Sequence, residues 1–145
     1  SRIAAEETLA LLPFMRAGLY VADGAREVLQ RAPMLHVRPD RGVGLAAVEL
    51  ATLEDLGVKT VVLIDSVVNT GASLEPVLAQ LAARGLRGFV LSLVCPAPTA
   101  DRLAGAWPDV TFLFARVSTN QYVGTGATDT GNRLFGTFGS PGKPT

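Results

Sequence analysis

The chain has 145 residues, 48% of them hydrophobic and 18% charged, with 13 basic side chains balanced by 13 acidic ones. That length suits one domain around one core, and the balanced charge gives no polyelectrolyte surface for nucleic acid or an anionic membrane. A lone cysteine, Cys95, excludes an intrachain disulfide. No apolar run approaches the roughly 18 residues of a membrane span, and the start has neither the basic nor the apolar region of a signal peptide, so the expected compartment is the cytoplasm.

The first apolar run, residues 9–15, is uninterrupted and reads as a buried strand that leaves through the turn Arg16-Ala17-Gly18. Residues 19–30 place Leu19, Val21, Ala22, Ala25, Val28 and Leu29 largely on one helical face, with Arg26, Glu27 and Gln30 opposite. Met34-Leu35-His36-Val37 reads as a second strand, residues 38–42 as a polar turn, and the alanine-rich 45–56 as a helix. Thr60-Val61-Val62-Leu63-Ile64-Asp65 has the β-branched, unalternating pattern of a central parallel strand ending in a carboxylate. A loop follows, then a helix from Ser73 to about Arg84, with Ser73 as N-cap and Gly85 just past the end. A strand over 89–94, a helix over 97–106 and an apolar strand over 110–117 complete the alternation, which implies an α/β parallel sheet with helices on both faces, a Rossmann-like three-layer domain. Beyond Ser118, Gly, Thr and Asn dominate, and residues 136–145 read as a flexible tail.

In such a sheet, ligands bind where strand ends run into helices. Asn69-Thr70-Gly71-Ala72-Ser73, ahead of a helix, offers backbone amides, two hydroxyls and the positive end of a helix dipole, a set that suits a phosphate. Asp65, just upstream, suits the hydroxyls of a ribose or a hydrated Mg²⁺. A tight turn with Ser73 as a simple cap accounts for the same residues without a ligand. Two further segments fall at the same edge: residues 14–18 and residues 122–133.

The strand 61–65 followed by Thr70-Gly71-Ala72-Ser73 resembles the signature with which phosphoribosyltransferases bind 5-phosphoribosyl-1-pyrophosphate (PRPP). Leu12-Pro13-Phe14-Met15-Arg16-Ala17-Gly18-Leu19, with Asp23-Gly24 behind it, is similar to the pyrophosphate loop of uracil phosphoribosyltransferases, Pro-Ile-Leu-Arg-Ala-Gly-Leu. The segment from Tyr122 to Thr137, with Thr128-Asp129-Thr130-Gly131-Asn132-Arg133-Leu134-Phe135-Gly136, resembles that family's uracil loop, Gly-Asp-Ala-Gly-Asp-Arg-h-Phe-Gly-Thr, where h is apolar. The resemblance implies one phosphoribosyltransferase domain over 1–145, without the N-terminal segment usual in the family. It implies conversion of uracil and PRPP to UMP and pyrophosphate with Mg²⁺, in a homo-oligomer open to a nucleotide effector. It also implies roles by residue. Asn69, Thr70, Gly71, Ala72 and Ser73 hold the 5′-phosphate, Asp65 the ribose hydroxyls, and Arg16, Ala17 and Gly18 the pyrophosphate. Tyr122, Val123, Thr128, Asp129 and Thr130 line the base, with Asp129 the one residue set to meet the metal, through water. Arg16, Asp65 and Asp129 are the expected catalytic residues.

The chain departs from the family pattern where Ala72 replaces a Gly, Thr125 a Pro and Thr128 a Gly that faces the pyrimidine. Two rival readings follow. A domain that kept the fold and its ligand but not turnover fits these departures, and Gly42-Val43-Gly44-Leu45-Ala46-Ala47 fits the G-x-G-x-x-A of a dinucleotide site, with Asp65 at the end of the next strand. His36 reads as a packing or edge residue, Trp107 as a packing residue and Cys95 as a small core hydrophobe.

Overall fold

A computed structural model describes residues 8–40, 42–120 and 134–135. Four parallel strands, β1 (Leu9–Pro13), β2 (Thr60–Val67), β3 (Arg87–Pro96) and β4 (Thr111–Ser118), stand side by side in chain order. Four helices connect them: α1 (Gly18–Val28), α2 (Ala47–Asp55), α3 (Leu74–Ala83) and α4 (Ala97–Ala106).

The uninterrupted apolar runs are explained by burial on both faces. Leu11 and Ile64 pack with Ala22 of α1, while Leu12, Val61, Leu63 and Val90 pack with Leu53, Val77, Leu81 and Leu103 of the other three helices. Right-handed crossovers account for the division. From β1 the chain turns outward through α1 to the segment beside β1, then returns through α2 to β2 on β1's other flank, and α3 and α4 continue in that direction.

Residues 34–37 are not the regular strand their sequence suggests. Leu35 N and Val37 N donate to Leu11 O and Pro13 O, while Leu11 N and Met15 N donate to Pro33 O and Val37 O. The rung missing from this parallel ladder is the one that residue 13 would donate, and Pro13 has no N–H. Two isolated bridges, Leu11 with Met34 and Phe14 with Val37, are what remain. His36 is exposed on this edge.

β2 also runs two residues past Asp65, because its pairing with β3 continues to Val67 opposite Val94. β4, read as simply apolar, is an edge strand among the described residues. α1 reaches only part of its face of the sheet, leaving Leu93, Leu113 and Val117 half exposed. Cys95 is fully buried, which pushes its thiol up to about 11 and leaves it a core hydrophobe at neutral pH.

The start of α1 depends on Gly18, where a Cβ would collide with the carbonyl oxygen of Ile64 in β2. Gly18→Ala is expected to cost about 1–3 kcal/mol, read as a lower urea midpoint with an unchanged slope. Gly24→Ala on the same helix, where a Cβ would meet nothing within 4 Å, should be neutral or stabilising.

Candidate functional site

Paired strands bring the first two predicted segments together. Pro13 lies opposite Ile64 at the carboxyl ends of β1 and β2, so the loops that follow, residues 14–17 and 68–73, emerge side by side. The first leads to α1 on one face and the second to α3 on the other. Their divergence leaves a crevice between them, which is where open α/β sheets place ligands.

A buried hydroxyl braces this crevice. Ser66 is 2% exposed and its Oγ donates to Ala17 O at 2.7 Å, tying the end of β2 to the β1–α1 loop. In that loop the Met15–Arg16 peptide is cis. The amide of Gly18 donates to Phe14 O, so what this glycine supplies is close packing against β2. Ala17 keeps an amide with no acceptor among the described residues. Asp65 is half-buried and accepts from the Ser66 amide through Oδ1 at 2.7 Å.

The loop from β2 to α3 has its own geometry. Gly71 adopts φ 83°, which glycine alone takes without penalty, and its carbonyl accepts from the amides of both Leu74 and Glu75. Ser73 occupies the N-cap position, yet its hydroxyl makes no capping bond, because the Gly71 carbonyl already satisfies the first turn. The amide of Ala72 donates to Thr70 Oγ1 at 3.3 Å. Among the described residues, the amides of Thr70, Gly71 and Ser73 have no acceptor.

Behind this loop stand residues that sequence reasoning missed. Arg102 donates through Nη2 to Thr70 O at 2.6 Å and through Nη1 to Glu75 Oε1 at 2.9 Å; Thr99 Oγ1 donates to Asn69 O at 2.7 Å. Trp107, expected only to pack, donates through Nε1 to Glu75 Oε1 at 3.4 Å. The hydrogen bond from Arg102 is the main reason the Glu75 carboxyl lies below its ordinary range; the Trp107 bond adds to it and burial opposes it. Thr99, Arg102 and Leu103 share one face of α4 at helical spacing, a signal present in the sequence. Only the fold shows that this face meets the β2–α3 loop.

Of the third predicted segment, Tyr122, Val123, Thr128, Asp129, Thr130 and Arg133 lie outside the described residues, as do Arg41 and the tail 136–145. Its described end, Leu134 and Phe135, sits at the first loop. Phe135 stacks on Tyr20 with ring centroids 5.2 Å apart, and the Arg16 guanidinium lies 5.5 Å from the Phe135 centroid.

The G-x-G-x-x-A stretch is occupied by the protein's own groups. Asp40 and Gly44 close a tight turn on each other, Leu45 N donates to Gln80 Oε1 at 2.8 Å, and Glu49 Oε2 accepts from Ala46 N at 2.8 Å. A carboxylate already at the N-terminus of α2 leaves no cradle for a pyrophosphate, so the dinucleotide reading has no site to carry it.

The sheet and its crossovers form an open, parallel α/β domain whose strand order reverses beside β1. The family model described as uracil phosphoribosyltransferase matches residues 1–137, and the chain belongs to that family. It is 32% identical over 137 residues to the uracil phosphoribosyltransferase of Dictyoglomus thermophilum, an alignment covering 89% of this chain and 66% of the relative. To that of Oceanobacillus iheyensis it is 30% identical over 145 residues, covering 94% and 69%. The chain thus spans about two thirds of the length of these relatives. The AQ2163 protein from Aquifex aeolicus shares the fold, with a TM-score of 0.61 at 21% identity over 90% of this chain and 66% of that one. No helix among the described residues is long and apolar enough to cross a membrane.

A lowered carboxyl contributes stability above its ordinary value of 4.5 and loses it as pH falls through the folded value. Below pH 4.5 the wild type should therefore lose stability more steeply than Glu75→Gln. Because the Arg102 and Glu75 side chains are 49% and 31% exposed, the difference should stay under about 1 kcal/mol. Urea midpoints across pH 3–6 measure it.

Proposed function

We propose that this chain transfers a phosphoribosyl group from PRPP to uracil, giving UMP and pyrophosphate. The carrying observation is the set of amides at Thr70, Gly71 and Ser73 that open the α3 terminus, beside a loop that holds Arg16 and across from Asp65. A helix N-terminus with unbonded amides suits a phosphate dianion, with the Thr70 and Ser73 hydroxyls as further donors. The carboxylate of Asp65 suits two vicinal ribose hydroxyls, each donating to an oxygen. Arg16 supplies a fixed fork and a permanent charge for pyrophosphate oxygens, and its place against Phe135 draws the third motif toward the leaving-group side.

In this reading, a uracil ring nitrogen bonds to the anomeric carbon as the bond from that carbon to the pyrophosphate oxygen breaks, and the nitrogen gives up its proton. Both electrons of the broken bond leave with pyrophosphate. The domain contributes position and charge: anchored phosphate, gripped ribose and a cation at the leaving group, with no covalent nucleophile. Mg²⁺, when bound, would neutralise the leaving pyrophosphate. Such an ion takes one or two carboxylates plus substrate oxygens, and Asp65 is a carboxylate at this rim. The described residues hold no group of three ligating side chains, so the residues present fit an ion carried largely by PRPP. Asp129 is the other carboxylate proposed for it, through water, with Tyr122, Val123, Thr128 and Thr130 around the base.

Titration calorimetry with PRPP and Mg²⁺, followed by a UMP assay with uracil, tests the proposal. Arg16→Ala and Asp65→Asn should each weaken PRPP binding by about 10- to 100-fold, the worth of one or two charge-assisted hydrogen bonds. Binding without turnover would support a retained binding module, and absence of PRPP binding by the wild type would refute the reading.

A further inference from the structure

We infer that Thr99 and Arg102 of α4 are positioning residues for phosphate recognition: they fix which way the amides of the β2–α3 loop point. The inference rests on reading that loop as the 5′-phosphate site. It goes beyond that reading because neither residue belongs to the loop or touches the proposed ligand.

The geometry follows from the planarity of the peptide group. In a trans peptide the carbonyl of one residue and the N–H of the next point in opposite directions. Thr99 Oγ1 holds the Asn69 carbonyl toward α4 at 2.7 Å, so the Thr70 N–H faces away from α4. Arg102 Nη2 holds the Thr70 carbonyl at 2.6 Å, so the Gly71 N–H faces away as well. These are two of the three amides with no acceptor among the described residues. Successive amides held on one side form an anion-binding concavity, and here α4 imposes that arrangement from behind.

Arg102 has a second effect. Glu75 lies in the first turn of α3, where a loose carboxylate would compete with a phosphate for the helix terminus. Arg102 Nη1 and Trp107 Nε1 both bond Glu75 Oε1, which holds that charge toward α4 and offsets it. The fit at Gly71 is close: a Cβ there would lie 3.2 Å from both Arg102 Nη2 and Leu103 Cδ2. Loop and helix are thus packed as one unit.

The test compares two probes of one protein, ribose 5-phosphate for the β2–α3 loop and inorganic pyrophosphate with Mg²⁺ for the Arg16 loop, by calorimetry on the full chain. Thr99→Val keeps the shape and removes the donor, so ribose 5-phosphate affinity should fall about tenfold, the worth of one positioning hydrogen bond. Pyrophosphate affinity and the thermal midpoint should stay near wild type. Thr99→Ser, which keeps the hydroxyl, should restore ribose 5-phosphate binding. Arg102→Met should follow Thr99→Val, with a larger loss. Equal losses for both probes, or no rescue by Thr99→Ser, would overturn the positioning role and mark these residues as general scaffold. Ribose 5-phosphate affinity unchanged in Thr99→Val would overturn it too, leaving the loop reading intact. Failure of the wild type to bind ribose 5-phosphate would remove the loop reading and the inference with it.

Discussion

The parallel pairing of β1 with β2, Leu9 to Pro13 against Thr60 to Ile64, is the constraint on which the ligand edge depends. It sets two loops of different destination beside each other, one entering α1 and the other α3 on the opposite face of the sheet. Had both connections stayed on one face, their loops would pack together and no crevice would open. Gly18 and Ser66 hold that pairing to its end, the first by letting α1 close against the Ile64 carbonyl and the second by bonding Ala17 across the gap.

In the proposed function, a chain without net charge recognises a highly charged ligand through local donors. Backbone amides at the end of a helix act over one turn, and their orientation matters more than the total charge around them. The bonds from α4 serve that orientation: each carbonyl drawn back by Thr99 or Arg102 turns the following amide outward. Glu75, the one acidic residue in the first turn of α3, is bonded away from the ligand side by Arg102 and Trp107. On the far side of the sheet, the half-exposed Leu93, Leu113 and Val117 are the counterpart of a fold that places three helices on one face and one on the other.

Much of this architecture is legible in the sequence. The unalternating runs at β1, β2 and β3 identify strands buried on both faces, and α4 falls on the residues that its composition predicts. The motifs at residues 12–19, 61–73 and 122–137 point to the family, which the family model matching residues 1–137 shows. What the sequence hides is non-local. A parallel ladder beside β1 loses a rung because of Pro13, about twenty positions before Met34 and outside any local pattern there. Ser73 looks like a cap, but the competing Gly71 carbonyl is visible only once the chain has turned. Thr99 and Arg102 carry no motif of their own, and their relation to Asn69 and Thr70 depends on how α4 packs over β3 and β4.

In the proposed function, amides of the β2–α3 loop meet a sugar phosphate, and amide chemical shifts in a ¹⁵N-labelled chain titrated with ribose 5-phosphate observe that meeting directly. Saturable, downfield movement of the Thr70, Gly71 and Ser73 signals, with Leu45 and Ala46 at the start of α2 unmoved, is the result expected. Saturation with those three signals unchanged, or with the response concentrated at the α2 terminus, would contradict it.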